Sequence, residues 1–309
     1  MRVFKDIISL LRIKHWVKNV FVFAPLLFSW QITDITAVIR TLLAFLAFSL
    51  VASTIYIIND IYDVEADKQH PKKCKRPIPA GRIGIKTAVV MAVFCILAGL
   101  GLSWLPGLLF GNWLTGLLFF CCTTSYLVLN IFYTLKGKHI VIVDAFCIAI
   151  GFVLRVIGGA FAIEVAPSGW IIMTTFFLCL FMGFGKRRNE LLSLKAQSGS
   201  HRSVLGLYTD SMLNQFILSS ATISIISYTL YTLSESVKSQ FNTGDKLVVT
   251  VPIVTFVIFR YTYLIWSREE GDPTDVLLKD PGLLLSGFAW LVVTVGMIFF
   301  CLNFLPAGG

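Results

Sequence analysis

The segment Asn59-Asp60-Ile61-Tyr62-Asp63-Val64-Glu65-Ala66-Asp67 gathers four carboxylates in a short stretch. On a continuous helix Asp60, Asp63 and Asp67 fall at about 0°, 300° and 340° around the axis. They then share one face, and Glu65 points off it. Three carboxylates crowded together repel one another and call for a cation. Hard oxygen ligands of this kind suit Mg²⁺, or the similar Mn²⁺, which keeps waters and bridges to substrate phosphates. Directly behind them come Lys68, Lys72, Lys73, Lys75, Arg76 and Arg82, interleaved with Pro77, Pro79 and Gly81. These cations suit phosphate oxygens, which they hold by charge-assisted hydrogen bonds. Some of them serve equally as anchors of a loop beside anionic lipid.

The elements that position these groups are membrane helices. The chain has 309 residues, 56% of them hydrophobic and only 14% charged, with a mean hydropathy of +0.80. A soluble domain does not need so much apolar residue; a bundle solvated by lipid does. Uncharged or nearly uncharged runs mark nine spans, at 19–33, 41–59, two within 87–135, then 140–163, 165–185, 211–234, 247–267 and 281–304. The run 87–135 is too long for one crossing, and Leu105-Pro106-Gly107-Leu108-Leu109-Phe110-Gly111-Asn112 supplies a turn inside it. Residues 1–14 place Phe4, Ile7, Ile8 and Leu11 on one face, which predicts a helix lying in the membrane interface. The basic start with no small-residue cleavage site after it reads as retained sequence, not as a removed signal.

The net charge of +9 reports topology, not nucleic acid. Alternate loops carry 21 and 3 of the Lys and Arg residues, with Arg155 and Arg260 inside spans. The positive-inside rule then puts the N-terminus and the loops 59–86 and 186–210 in the cytoplasm. Nine crossings leave the C-terminus outside. The two long loops follow spans two and six, which suggests two four-helix halves and a ninth helix within one domain over 1–309. The seven cysteines form no CxxC pair and the four histidines no ligand spacing, so both read as packing or surface residues.

Charges inside spans are costly and usually functional. Asp144 lies near the cytoplasmic end of its span, where a substrate or a basic partner is expected. Arg155 lies about 16 Å deeper on the same face and reads either as a cavity residue or as a structural one. Arg260 reads as structural.

Asn59-Asp60-x-x-Asp63-x-x-x-Asp67 at the exit of a span, followed by Lys75-Arg76-Pro77-Ile78-Pro79-Ala80-Gly81, resembles the UbiA-type intramembrane prenyltransferase superfamily along essentially the whole chain. The resemblance implies an all-α bundle of nine helices around a central cavity open to lipid. It also implies that Asn59, Asp60, Asp63 and Asp67 serve Mg²⁺ and a diphosphate. Aromatic prenyltransferases of that superfamily carry a second motif, DxxxD, after span six. Here Lys186 and Glu190 stand at that spacing, in Gly185-Lys186-Arg187-Arg188-Asn189-Glu190. An ammonium at the first position repels a metal ion and attracts a phosphate.

That stretch is similar to the decaprenyl-phosphate phosphoribosyltransferase subfamily, as are Trp16-Val17-Lys18-Asn19, Tyr133-Thr134-Leu135-Lys136, Gly151-Phe152-Val153-Leu154-Arg155 and the late GDPTDVLLKDPG. The similarity implies transfer of 5-phosphoribose from phosphoribosyl diphosphate to a long polyprenyl phosphate, with loss of diphosphate, in the synthesis of lipid-linked arabinose for the cell envelope. It implies substrate contacts at Lys18, Lys75, Arg76, Arg82, Tyr133, Lys136, Arg155, Lys186, Arg187 and Glu190, with Asp144 beside the reacting groups. A cytoplasmic-membrane location and a homo-oligomer fit the same reading. The rivals are an aromatic prenyltransferase, which shares the first motif but needs the second DxxxD, and a transporter. Paired broken helices at midplane would mark the transporter, and none is legible.

Overall fold

A computed structural model describes residues 2–71, 73–110, 112–196, 206–267, 276 and 279–304. The described residues are helical wherever they are regular. Among the described residues eight helices are long and apolar enough to cross a membrane: Ile35–Tyr62, Ile85–Leu109, Trp113–Leu135, Val143–Ala162, Gly169–Leu192, Asp210–Leu233, Lys246–Ser267 and Pro281–Phe304. The protein is a multi-pass membrane protein, and these eight match the second to ninth spans read from the sequence.

The first span differs. Residues 19–33 offer too few uncharged residues to cross roughly 30 Å as an α-helix. The chain instead runs as a 3-10 helix over Ile13–Phe23, then as the short helix α2 over Ala24–Phe28, in which Pro25 takes an early position that needs no backbone N–H. A 3-10 helix rises about 2.0 Å per residue against about 1.5 Å for an α-helix, so the two elements together have a contour length of about 30 Å. This composite stands where the first span was expected as one regular helix.

Two compact units divide the chain, Met1–Gly137 with Ile150–Pro167, and Lys138–Ala149 with Ser168–Gly309. The first opens with α1 (Arg2–Leu11), which agrees with the helix predicted over 1–14 and buries Leu10 completely. Helix α3 (Ile35–Tyr62) is started by Asp34, whose carboxylate accepts from Thr36 N at 2.8 Å. A short α4 (Val64–Gln69) follows, then α5 (Ile85–Phe110) and α6 (Trp113–Leu135), separated at the predicted turn. Phe48, Val51, Phe119 and Tyr126 fill the core between these helices with small Ala44, Ala47 and Ala52. Small residues let backbones approach where lipid gives no hydrophobic drive. Gly159, on α7 (Val143–Ala162), is the extreme case. A Cβ there would sit 2.2 Å from the carbonyl oxygen of Val22, so α7 rests directly on the 3-10 backbone.

Arg155 ties the same contact from the side. Its Nε donates to Asn19 Oδ1 at 2.6 Å, Nη1 to the Gly151 carbonyl at 2.8 Å and Nη2 to the Tyr126 hydroxyl at 2.7 Å. The guanidinium also lies 4.4 Å from the Tyr126 ring centre, and Asn19 passes the link to Ser49 at 2.9 Å. Of the two sequence readings of Arg155 the structure supports the structural one. All three guanidinium nitrogens are spent on protein groups, so the expected substrate contact is replaced by a brace between the 3-10 segment, α6 and α7.

The second unit contains α8 (Gly169–Ala196), α9 (Asp210–Leu233), the short α10 (Glu235–Phe241), α11 (Val251–Ser267) and α12 (Pro281–Phe304). Helix α8 continues past the predicted end at 185, so Lys186 to Glu190 ride on helical turns. Arg260 forms a bidentate pair with Asp280, at 3.2 and 3.0 Å, and Asp280 also accepts from Leu283 N at 3.0 Å to cap α12. This fits the structural reading of Arg260. Of the late segment GDPTDVLLKDPG, residues 271–275, 277 and 278 lie outside the described residues, as do Lys72 and residues 197–205 of the predicted loop 186–210.

Candidate active site

The acidic motif is not one continuous helix. Helix α3 stops at Tyr62, and Asp63 forms the joint, with φ −92° and ψ 11°. Helix α4 restarts at Val64, and Asp67 N reaches the Asp63 carbonyl at 2.8 Å. The joint turns Asp67 inward: it and Asp60 are each 2% exposed, while Asp63 is half-buried. Among the described residues no three His, Cys, Asp or Glu side chains converge as a metal cluster. The expectation that all three aspartates line one face therefore changes. Asp60 and Asp67 form the convergent pair, and Asp63 sits at the bend between them. Glu65 points away as expected, exposed and paired with Lys68 at 2.7 Å.

A guanidinium joins the pair. Arg76 Nη1 donates to Asp60 Oδ1 at 3.0 Å and to Asp67 Oδ2 at 2.6 Å. Lys73 adds a contact to Asp67 at 3.6 Å. Arg12 pairs with Asp60 as well, its guanidinium 4.8 Å from the Tyr56 ring centre. Arg12 is a site residue the sequence reading missed, because it lies far away in the chain and belongs to no motif. It brings the end of α1 onto the carboxylates. Arg82, expected at substrate, instead ties the loop down, to Asp6 at 2.8 Å and to the Lys75 carbonyl at 2.8 Å. Lys75 is exposed, Lys18 and Tyr133 are half-buried, and Lys136 is exposed where α6 ends.

The donor set fits a hard divalent cation. Asp60 and Asp67 flank a single cationic nitrogen, so a cation already sits between them. Asn59 Oδ1, one residue away, is a buried oxygen with no hydrogen-bond partner among the described residues. A buried acceptor left unpaired is costly and suits a ligand atom.

The second cluster lies at the start of α7 and the last turns of α8. Asp144 is 1% exposed. Its Oδ2 lies 2.6 Å from Arg187 Nε, and Arg187 Nη1 donates to Glu190 Oε2 at 2.5 Å. Asp144 was expected to meet substrate or a basic partner; the structure supplies the partner, Arg187. Lys186 is half-buried one turn before Glu190. Arg188 pairs with Asp210 at the start of α9, at 3.1 Å.

Tyr208 completes this cluster and was not legible in any motif. Its hydroxyl donates to Asp144 Oδ1 at 2.9 Å and accepts from Ile142 N at 2.5 Å. Burial pushes the hydroxyl well above the usual phenol range, so it stays protonated and able to donate. Ile142 has φ +70°, a left-handed conformation that costs a β-branched residue about 1–3 kcal/mol. Its N–H precedes α7 and would otherwise lack a helical partner.

Comparison with known proteins agrees with this architecture. Residues 20–190 match the UbiA prenyltransferase family. Decaprenyl-phosphate phosphoribosyltransferase from Corynebacterium glutamicum is 33% identical over 94% of this chain and 86% of its own length. The protein of that name from Mycolicibacterium smegmatis is 32% identical over 95% and 92%. A UbiA homologue from Archaeoglobus fulgidus, solved with GPP and Mg²⁺, superposes with a TM-score of 0.66 at 18% identity, over 96% of this chain and 99% of that one. With sequence matches over most of its length and the fold in common, the chain belongs to the UbiA prenyltransferase family.

Proposed function

We propose that the protein transfers 5-phosphoribose from phosphoribosyl diphosphate to a polyprenyl phosphate, feeding lipid-linked pentose into cell-envelope synthesis. One observation carries the choice of donor. In the second motif the only carboxylate left at the DxxxD spacing, Glu190, is engaged by Arg187 at 2.5 Å. On α8 itself cations outnumber carboxylates at that turn, and the second carboxylate on Arg187, Asp144, comes from α7 and is held by Tyr208. A phosphate monoester, such as the 5-phosphate of this donor, is what such a turn attracts. The relatives' names point the same way.

The acceptor phosphate is already anionic at neutral pH, so its oxygen needs no strong base to attack the anomeric carbon. The C1–O bond to diphosphate breaks as the new C1–O bond forms, and the ring carbon gains oxocarbenium character. The difficult part is charge on the departing diphosphate. Mg²⁺, when bound, supplies neutralisation of that leaving group. Asp60 and Asp67, with Asp63 and Asn59 Oδ1, are the residues that would hold it. Arg76 and Arg12 lie on the same carboxylates and can turn to the diphosphate oxygens. Lys186 and Arg187 hold the 5-phosphate, Arg187 kept in place by Asp144 and Glu190. Lys18, Lys75, Tyr133 and Lys136 remain candidates for the lipid phosphate.

The deciding experiment offers the purified protein radiolabelled phosphoribosyl diphosphate and a radiolabelled prenyl diphosphate, each with polyprenyl phosphate and with an aromatic acceptor. Label from the first donor is expected in lipid. Alkylation of the aromatic acceptor by the second refutes the reading and leaves the fold intact.

The distribution of Lys and Arg, 21 against 3, supports a cytoplasmic-membrane protein with the N-terminus and both charged loops inside. With the 3-10 composite counted as a crossing, the C-terminus lies outside. An impermeant thiol reagent on intact cells is then expected to spare Cys74 and to label a cysteine placed at Gly308. Labelling of Cys74 would reverse the orientation. A protected Gly308 cysteine, with Cys74 also protected, would remove the composite as a crossing.

A further inference from the structure

We propose that Tyr208 is a positioning residue for donor binding, acting through Asp144 on Arg187; the inference rests on the phosphoribosyl-donor reading. The geometry is specific. Asp144 Oδ2 touches Arg187 Nε at 2.6 Å but is not an aligned hydrogen-bond acceptor. The aligned hydrogen bond to this buried carboxylate comes from the Tyr208 hydroxyl, at 2.9 Å. Coulomb attraction alone does not fix how a carboxylate is rotated about its own bond. A directed hydrogen bond does. Tyr208 therefore sets which oxygen faces Arg187, and so sets the plane of the guanidinium that is to meet the phosphate.

Two further features make the hydroxyl, rather than the ring, the active element. It accepts the Ile142 N–H, holding the left-handed residue that leads into α7 and thereby the backbone two residues before Asp144. Tyr208 is also fixed in the chain, because the next residue, Thr209, caps α9 by accepting from Met212 N at 3.2 Å. One hydroxyl thus bridges the start of α7 to the start of α9, and its donated proton ends on the carboxylate that holds Arg187. Positioning networks of this type support a binding group without touching the ligand. They differ from plain structural bonds in one respect: their loss falls on one substrate.

The test uses the full-length protein in nanodiscs. Tyr208→Phe removes only the hydroxyl. Its expected effect is about a ten-fold rise in KM and in equilibrium Kd for phosphoribosyl diphosphate, the size of losing one hydrogen bond to a charged group. The KM for polyprenyl phosphate stays at the wild-type value, and kcat stays within about three-fold. Coupling is read by repeating the change in Arg187→Lys, where it should cost less than about two-fold more, because the guanidinium it orients is gone. Equal losses for donor and acceptor, unchanged donor affinity, or full additivity with Arg187→Lys would each overturn the proposal. If Tyr208→Phe lacks a cooperative melting transition, Asp144→Asn takes its place. It keeps the partner's shape, removes the charge facing Arg187, and must show the same donor-selective loss for the proposal to stand. If the wild type ignores phosphoribosyl diphosphate, the functional reading fails separately. The same cycle, read with the diphosphate donor the protein does use, still decides whether Tyr208 works through Arg187.

Discussion

Asp60→Asn and Asp67→Asn are expected to lower kcat/KM by at least about a hundred-fold, the loss that follows when a metal site worth several kcal/mol in the transition state is dismantled. Asp60 and Asp67 are buried and converge on one guanidinium. Neutralising either removes half of the charge available to a cation there. Asp63→Asn is expected to lower activity by a smaller factor than the other two, because Asp63 lies at the helix joint and not in the convergent pair. Glu65→Gln is expected to change little, since its carboxylate is exposed and meets Lys68 on the surface. Activity is expected to disappear in EDTA and return with Mg²⁺. Full turnover in EDTA would remove the metal from the account. Thermal melting of each variant separates loss of chemistry from loss of fold, because Arg12 and Arg76 both lose a partner when Asp60 is neutralised.

The second large effect is expected at Lys186. Lys186→Ala should weaken use of phosphoribosyl diphosphate about ten-fold or more, the size of a charge-assisted hydrogen bond of about 1.5–3 kcal/mol. The change should fall on donor KM, measured by titrating donor at saturating lipid. On α8 itself Lys186, Arg187 and Arg188 outnumber Glu190, and Arg187 is shared between Glu190 and Asp144. A phosphate monoester is drawn to such a turn and a metal ion is not. A variant that retains wild-type donor KM would place the 5-phosphate elsewhere.

The spans were legible because an uncharged run of sufficient length has few alternatives in a chain this apolar. The break between α5 and α6, at the end of the 105–112 stretch, and the outward direction of Glu65 could be read the same way, although Pro106 itself lies inside α5. The joint at Asp63 could not. No glycine or proline marks it, and helix propensity alone continues α3 through Asp67. What bends the chain is the burial of Asp67 onto Arg76, a contact made only after the loop folds back. The 3-10 form of Ile13–Phe23 was hidden for a related reason. It depends on Arg155 holding Asn19 and on Gly159 allowing contact with the Val22 carbonyl, both distant in sequence. Arg12 and Tyr208 lie outside every motif. Arg12 acquires its place from Asp60 and the Tyr56 ring, and Tyr208 from Asp144 and the Ile142 N–H, contacts that no periodicity announces. Asp144 was legible as a charge too costly to bury without purpose, but its partner was not.

The most direct measurement of the central claim is the mass of the lipid formed when purified protein, Mg²⁺, phosphoribosyl diphosphate and a defined polyprenyl phosphate are combined. The expected product is the acceptor plus one ribose 5-phosphate residue, with one diphosphate released for each lipid converted. An unmodified acceptor, or one that has gained a diphosphate or a prenyl group instead, would contradict it.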